Sequence, residues 1–142
     1  MQALGRLTDA QRDRLLELAE YVTAEAGSVI IEEDQRPAGI VLLLEGTVRI
    51  EKNHLGGRIP VDELSAGELL GEISYLLDSG ATVSVVADDD VRLALISREV
   101  LDGLLDADPA FAGNLFRSWA EVLARRLDRR TGDVVGTYWT WG

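Results

Sequence analysis

The sequence has no cysteine and a single histidine, His54, among its 142 residues. Without cysteine there are no disulfides, no zinc-finger sites and no thiol catalysis, and the chain suits a reducing cytoplasm. One imidazole, placed in the turn Asn53-His54-Leu55-Gly56-Gly57, cannot build a several-histidine metal centre or a convincing Ser-His-acid triad. No apolar run reaches the roughly eighteen residues a membrane helix needs. The N-terminus lacks the basic-then-apolar pattern of a secretory leader, and no Walker-type glycine loop occurs. Proline is scarce, at three residues, and with ordinary apolar content this argues against disorder. Basic residues are also few: 14 against 25 acidic ones, a net charge of −11. Such a surface repels nucleic acid, whose binding requires phosphate neutralisation. It also repels anionic ligands unless a local positive site overcomes the field.

What is present is enough chain for one domain with its own core. Thr8-Asp9-Ala10-Gln11 forms a capping-box pattern, and Leu15, Leu16, Leu18, Ala19 and Val22 follow at helical spacing. A helix over 8–20 is predicted. From Tyr21 the period changes. Gly27–Ile31 is strand-like, and Asp34–Gly39 is a turn cluster. Ile40–Leu44 is a continuous aliphatic run, and Thr47–Lys52 alternates. Glu45-Gly46 between them predicts a hairpin. Ile59-Pro60-Val61 reads as a short edge piece, because Pro60 cannot donate to a ladder. Thr82–Ala87 and Val91–Ile96 read as paired strands around Asp88-Asp89-Asp90. Those three aspartates lack the shaped, glycine-bearing loop of a hard-cation site, so a solvated turn is expected and no metal site.

Ser97 predicts a short helix through Leu105, and Asp108-Pro109 a stronger helix start. Phe111, Leu115, Phe116, Trp119, Val122, Leu123 and Leu127 then form a wide apolar stripe. The stripe exceeds one packing face, so part of it is expected to meet a second copy. Short strands with glycine turns point to a β-sandwich or barrel. The expected fold class is mostly β with flanking helices: a β jelly roll with an N-terminal helix, a short central helix and a long C-terminal helix. One domain spans 1–135, with a β roll over 21–97 and C-terminal helices over 98–131. An aromatic tail, 136–142, follows.

The stretch with chemical content is Gly71–Ala87, GEISYLLDSGATVSVVA. A short helix opening at Gly71 between strands leaves its first N–H groups unpartnered, which suits an anion. Glu72 beside that positive end suits a hydroxyl-rich group lying next to a phosphate. On spacing alone, Gly71 and Glu72 equally serve as an ordinary helix start, with Glu72 answering the dipole.

The segment resembles the phosphate-binding cassette of cyclic-nucleotide-binding domains. Gly71, Glu72, Ile73 and Ser74 match its opening, and Thr82 matches its hydroxyl position. Ala81 stands where that family has arginine, and Val83 where it usually has alanine. The resemblance covers roughly residues 7–135 and includes AGELLGE and VLLLEGTVRI. It implies a ligand site in which Glu72 holds ribose hydroxyls. Gly71, Ile73 and Ser74 offer N–H groups, and Thr82 offers a hydroxyl. Leu123-Ala124-Arg125-Arg126-Leu127 is similar to the long helix through which catabolite-activator-type regulators dimerise.

Losing the arginine from a buried, charge-assisted pair costs about 2–5 kcal/mol, roughly 30- to several-thousand-fold in affinity. Arg36, Arg58 and Arg92 are the other guanidinium groups considered as substitutes. The expected function is a non-catalytic regulatory module that senses a cyclic nucleotide or another small anion through its C-terminal helix. Weak or absent binding of cyclic AMP and cyclic GMP is expected, with no resident cofactor. A ligand-free dimerisation module of the same fold is the alternative. A cupin-type enzyme shares the architecture but lacks its histidines here.

Overall fold

The computed structural model describes residues 2–135, with side chains described through Arg129. A 3-10 turn, Gln2–Leu4, precedes helix α1, Asp9–Glu17. The predicted capping box forms: Thr8 Oγ1 accepts from the Gln11 amide at 3.2 Å, and Gln11 Oε1 accepts from the Thr8 amide at 3.0 Å. The helix stops short of residue 20 because the backbone at Glu20 is already paired with Leu95 in a sheet.

Eight strands follow: β1 (Glu20–Ala24), β2 (Val29–Ile31), β3 (Gly39–Glu45), β4 (Thr47–His54), β5 (Gly57–Ser65), β6 (Leu69–Leu70), β7 (Ser84–Ala87) and β8 (Val91–Ser97). They form two four-stranded antiparallel sheets, ordered β1-β8-β3-β6 and β2-β7-β4-β5. This is the jelly roll expected from the sequence. The unbroken apolar run of β3 has a simple cause. Ile40 and Leu42 pack on the helices, while Val41 and Leu43 pack on the facing sheet. A strand covered on both faces shows no polar alternation.

Two predicted pairings are corrected. β3 pairs with β6 and β8, and β4 with β5 and β7, so Glu45-Gly46 is a corner between sheets and not a hairpin. β7 and β8 likewise lie in different sheets. Gly46 has φ +90°, and a Cβ there would meet Asp90 O at 2.6 Å, so the two corners are in close contact. The aspartates hold them together. Asp89 Oδ1 accepts from the Thr47 amide at 2.7 Å, and Asp90 Oδ1 from the Ala26 amide at 3.0 Å. Asp88 pairs with Arg49. Strand β5 is longer than the predicted Ile59–Val61 piece, yet it is an edge strand as Pro60 requires.

Ser97 caps helix α3, Arg98–Ala107, by accepting from the Val100 amide at 3.2 Å. Asp108 caps α4, Pro109–Val135, by accepting from the Phe111 amide at 3.1 Å. Phe111, Leu115 and Trp119 of α4 are buried with Leu4, Leu15 and Leu101 against the first sheet. Helix α4 therefore lies across that sheet and continues past the predicted limit at 131. The aromatic tail, 136–142, lies outside the described residues.

Candidate functional site

Between β6 and β7 the chain forms α2, Glu72–Leu77. Gly71 precedes it at φ +84°, in the left-handed region that favours glycine. A Cβ at Gly71 would also press on Gly39 O at 3.1 Å. Asp78, at φ +51°, ends the helix. Its carboxylate is held by Arg36 at 2.5 Å and Arg98 at 3.6 Å.

This short helix forms one wall of a cavity of about 360 Å³. All seven residues singled out from the sequence line it: Gly71, Glu72, Ile73 and Ser74 from the helix end, and Ala81, Thr82 and Val83 from the approach to β7. Glu72 and Ser74 are each only 4% exposed, and Ala81 is 6% exposed. Thr82 and Ile73 are exposed and mark the mouth. Ile31, Ile50, Leu64, Leu70 and Val85 supply apolar wall from both sheets.

The remaining wall comes from α4, through Leu123, Arg126 and Leu127. Arg126 Nη1 donates to Glu72 Oε1 at 2.8 Å. Its Nη2 donates to Glu68 Oε2 at 3.0 Å and to the Leu69 carbonyl at 3.2 Å. Burial pushes the Glu72 carboxyl above the ordinary glutamate range, while Arg126 and a hydrogen bond from the residue's own amide pull it back. The sequence offers Arg126 only within Leu123–Leu127, the stretch similar to a dimerising helix, and not as a site residue. The signal that could have found it is its spacing: Leu123, Arg126 and Leu127 share one face at i, i+3 and i+4.

The substitutes considered for the missing arginine lie elsewhere. Arg36 is on Asp78, Arg58 on Glu32 and Glu51, and Arg92 on Glu45. None of the three lines the cavity. Lys52, near the mouth, donates to the Thr82 carbonyl at 2.8 Å and pairs with Glu33 at 3.4 Å.

A second link joins α2 to α4. Tyr75 packs edge-on against Trp119, with centroids 6.0 Å apart, and Trp119 packs edge-on against Phe116 at 5.8 Å. The Tyr75 hydroxyl donates to Asp102. Burial, then that bond, pushes its pKa upward. Chemically, the arrangement is a binding cavity with one polar end. Among the described residues, no group of three or more His, Cys, Asp or Glu side chains is placed to hold a metal ion. No described helix is long and apolar enough to cross a membrane.

Comparison with known proteins places this geometry. The family model described as cyclic nucleotide-binding domain matches residues 21–108. The cyclic AMP receptor protein of Thermus thermophilus is 35% identical over 102 residues, which is 71% of this chain and 45% of that protein. The crystal structure of Thermus thermophilus catabolite activator protein superposes with a TM-score of 0.78 at 29% identity, covering 94% of this chain and 62% of that one. A cyclic nucleotide-binding domain from Methylobacillus flagellatus reaches a TM-score of 0.84 at 20% identity, over 99% and 84% of the two chains, a likeness of fold. The chain spans less than half the length of the curated relatives it matches first.

Proposed function

We propose that this chain, which belongs to the cyclic nucleotide-binding domain family, is a non-catalytic regulatory module whose cavity is read by helix α4. The observation that carries the reading is the ion cluster of Arg126 with Glu72 and Glu68. The acid at the ligand site and the long helix are one electrostatic unit. A ligand group that competes for Glu72 alters what holds α4 in place, and the Tyr75–Trp119 contact offers a second route. The ligand contacts are assigned to Gly71, Glu72, Ile73, Ser74, Thr82 and Val83, with Ala81 in the arginine position.

Affinity for cyclic AMP and cyclic GMP is weak or absent in this reading. No side chain at 81 answers a phosphate, and the one guanidinium lining the cavity among the described residues is already shared by two carboxylates. Isothermal titration is expected to show millimolar affinity or no heat for either nucleotide. Low-micromolar binding overturns the weak-binding claim. Coupling is tested separately by hydrogen exchange in Ala81→Arg with saturating cyclic AMP. Altered protection over residues 119–129 is expected, and unchanged protection removes the helix from the mechanism.

A second reading keeps the fold as a dimerising module. Phe116, Ala120, Ala124 and Leu127 are exposed and recur along one side of α4, a stripe suited to a second copy. In this reading the cavity has lost its ligand, which separates it from the first, and a homodimer through α4 belongs to both. The absence of cysteine supports placement in the cytoplasm.

A further inference from the structure

The cavity fits a different ligand class from the one its cassette resembles. Its body is apolar: Ile31, Ile50, Leu64, Leu70 and Val85 face it from the sheets, and Leu123 from α4. Five of these, Ile31, Ile50, Leu64, Leu70 and Val85, are 7% exposed or less. At about 360 Å³ it falls within the roughly 300–1,000 Å³ typical of small-molecule sites. Ala81 leaves open space where a longer side chain would project.

The charged groups gather at one end, where the cation that lines the cavity is already engaged by two carboxylates. Three carboxylates, Glu68, Glu72 and Asp62, meet two guanidinium groups there, Arg126 and Arg129. Near the mouth, Lys52 is matched by Glu33. The chain as a whole carries −11. A phosphodiester entering this site would lose its hydration beside Glu68 and Glu72, whose shared partner Arg126 is already engaged. An uncharged body meets no such penalty and gains from displacing water along the aliphatic wall.

We propose that the occupant of this cavity is an uncharged, largely apolar small molecule, one or two rings in size, with a hydroxyl or N–H donor directed at the Glu72 end. This rests on the reading of the cavity as the ligand site of a regulatory module. It replaces the nucleotide as ligand and leaves the role of α4 unchanged. Glu72 supplies the acceptor for the donor group. Leu123 and Leu127 close the wall over the apolar part, so occupancy is felt directly by α4.

The test uses the full chain and 2-naphthol, an uncharged two-ring fluorophore with one O–H donor. Saturable binding at one probe per chain is expected, with micromolar affinity and no displacement by millimolar cyclic AMP. Ala81→Phe fills the cavity and should weaken the probe at least tenfold. Ala81→Leu is the milder variant should the larger ring disturb folding, and circular dichroism monitors both. Leu77→Ser removes an exposed side chain of α2 that does not line the cavity, and probe binding should be unchanged. Absence of saturable binding overturns the proposal. So does binding that folded Ala81 variants retain, or binding that Leu77→Ser abolishes. If neither the probe nor cyclic AMP binds, only this inference falls. Low-micromolar cyclic AMP that displaces the probe overturns both this inference and the weak-nucleotide reading.

Discussion

Arg126 donates to Glu72 at 2.8 Å across 54 residues of chain, joining the last helix to the shortest one. The side chains are 19% and 6% exposed, so the pair is held largely out of water. Such a pair stabilises little by itself, because both partners lose hydration. Its effect lies in what happens when one partner is removed.

Arg126→Met leaves Glu72 buried without its cation. Urea unfolding should show a loss of about 1–3 kcal/mol, the penalty for an unsatisfied buried polar group. In Arg126→Met/Glu72→Gln most of that loss should return, giving a large coupling in the double-mutant cycle. Additive losses would show that the two residues do not act as a pair.

Two glutamates should show opposite pH dependence. The Glu72 carboxyl is raised, chiefly by desolvation. Its contribution is therefore fully present below the ordinary glutamate pKa and is lost as pH rises through its folded value. Glu121 is lowered, first by the hydrogen bond from Arg6. Its contribution is present above the ordinary pKa and is lost as pH falls through its folded value. Unfolding at a series of pH values should show Glu72→Gln gaining on the native chain from about pH 4 to neutral. Glu121→Gln should lose ground at more acid pH, as pH rises from the folded value of Glu121 to the ordinary glutamate pKa. Parallel pH profiles would contradict both assignments.

Ala81→Arg restores a guanidinium beside the cavity. Cyclic AMP affinity by isothermal titration should rise by on the order of 30-fold or more, corresponding to about 2 kcal/mol or above. The gain should shrink with added salt, as charge attraction is screened. A folded variant with unchanged affinity would show that the amides of Gly71–Ser74 do not form a phosphate cradle.

The outer stripe of α4 should hold two copies together. Ala120 and Ala124 are exposed and do not line the cavity. Ala120→Glu/Ala124→Glu places like charges face to face across a two-fold contact. Sedimentation equilibrium should show a dimer for the native chain and a monomer for the variant, with the melting temperature of the monomer little altered. A monomeric native chain would remove the dimer from both functional readings.

Much of the secondary structure could be read locally because its causes are local. Thr8, Ser97 and Asp108 each cap the helix that follows, through bonds reaching three residues at most. Pro60 marked an edge because one missing N–H is a property of one residue. Gly71, Glu72, Ser74 and Thr82 could be picked out because the backbone turn and the acid lie within one short segment. Strand partners were harder. The period of two shows which face of a strand is apolar, and it is silent about which sheet receives the strand. Hence the corners at Glu45-Gly46 and Asp88-Asp90 looked like hairpins.

The sequence by itself determined most of the elements and the resemblance of Gly71–Ala87 to a cassette, with Ala81 where the resembled family has arginine, since each depends on neighbouring residues. Only the tertiary structure decided that Arg126 meets Glu72 and that aliphatic side chains from two sheets and a distant helix surround the space between them. Those contacts arise where separate elements converge, and a charge balance across such a site exists only once the elements have packed.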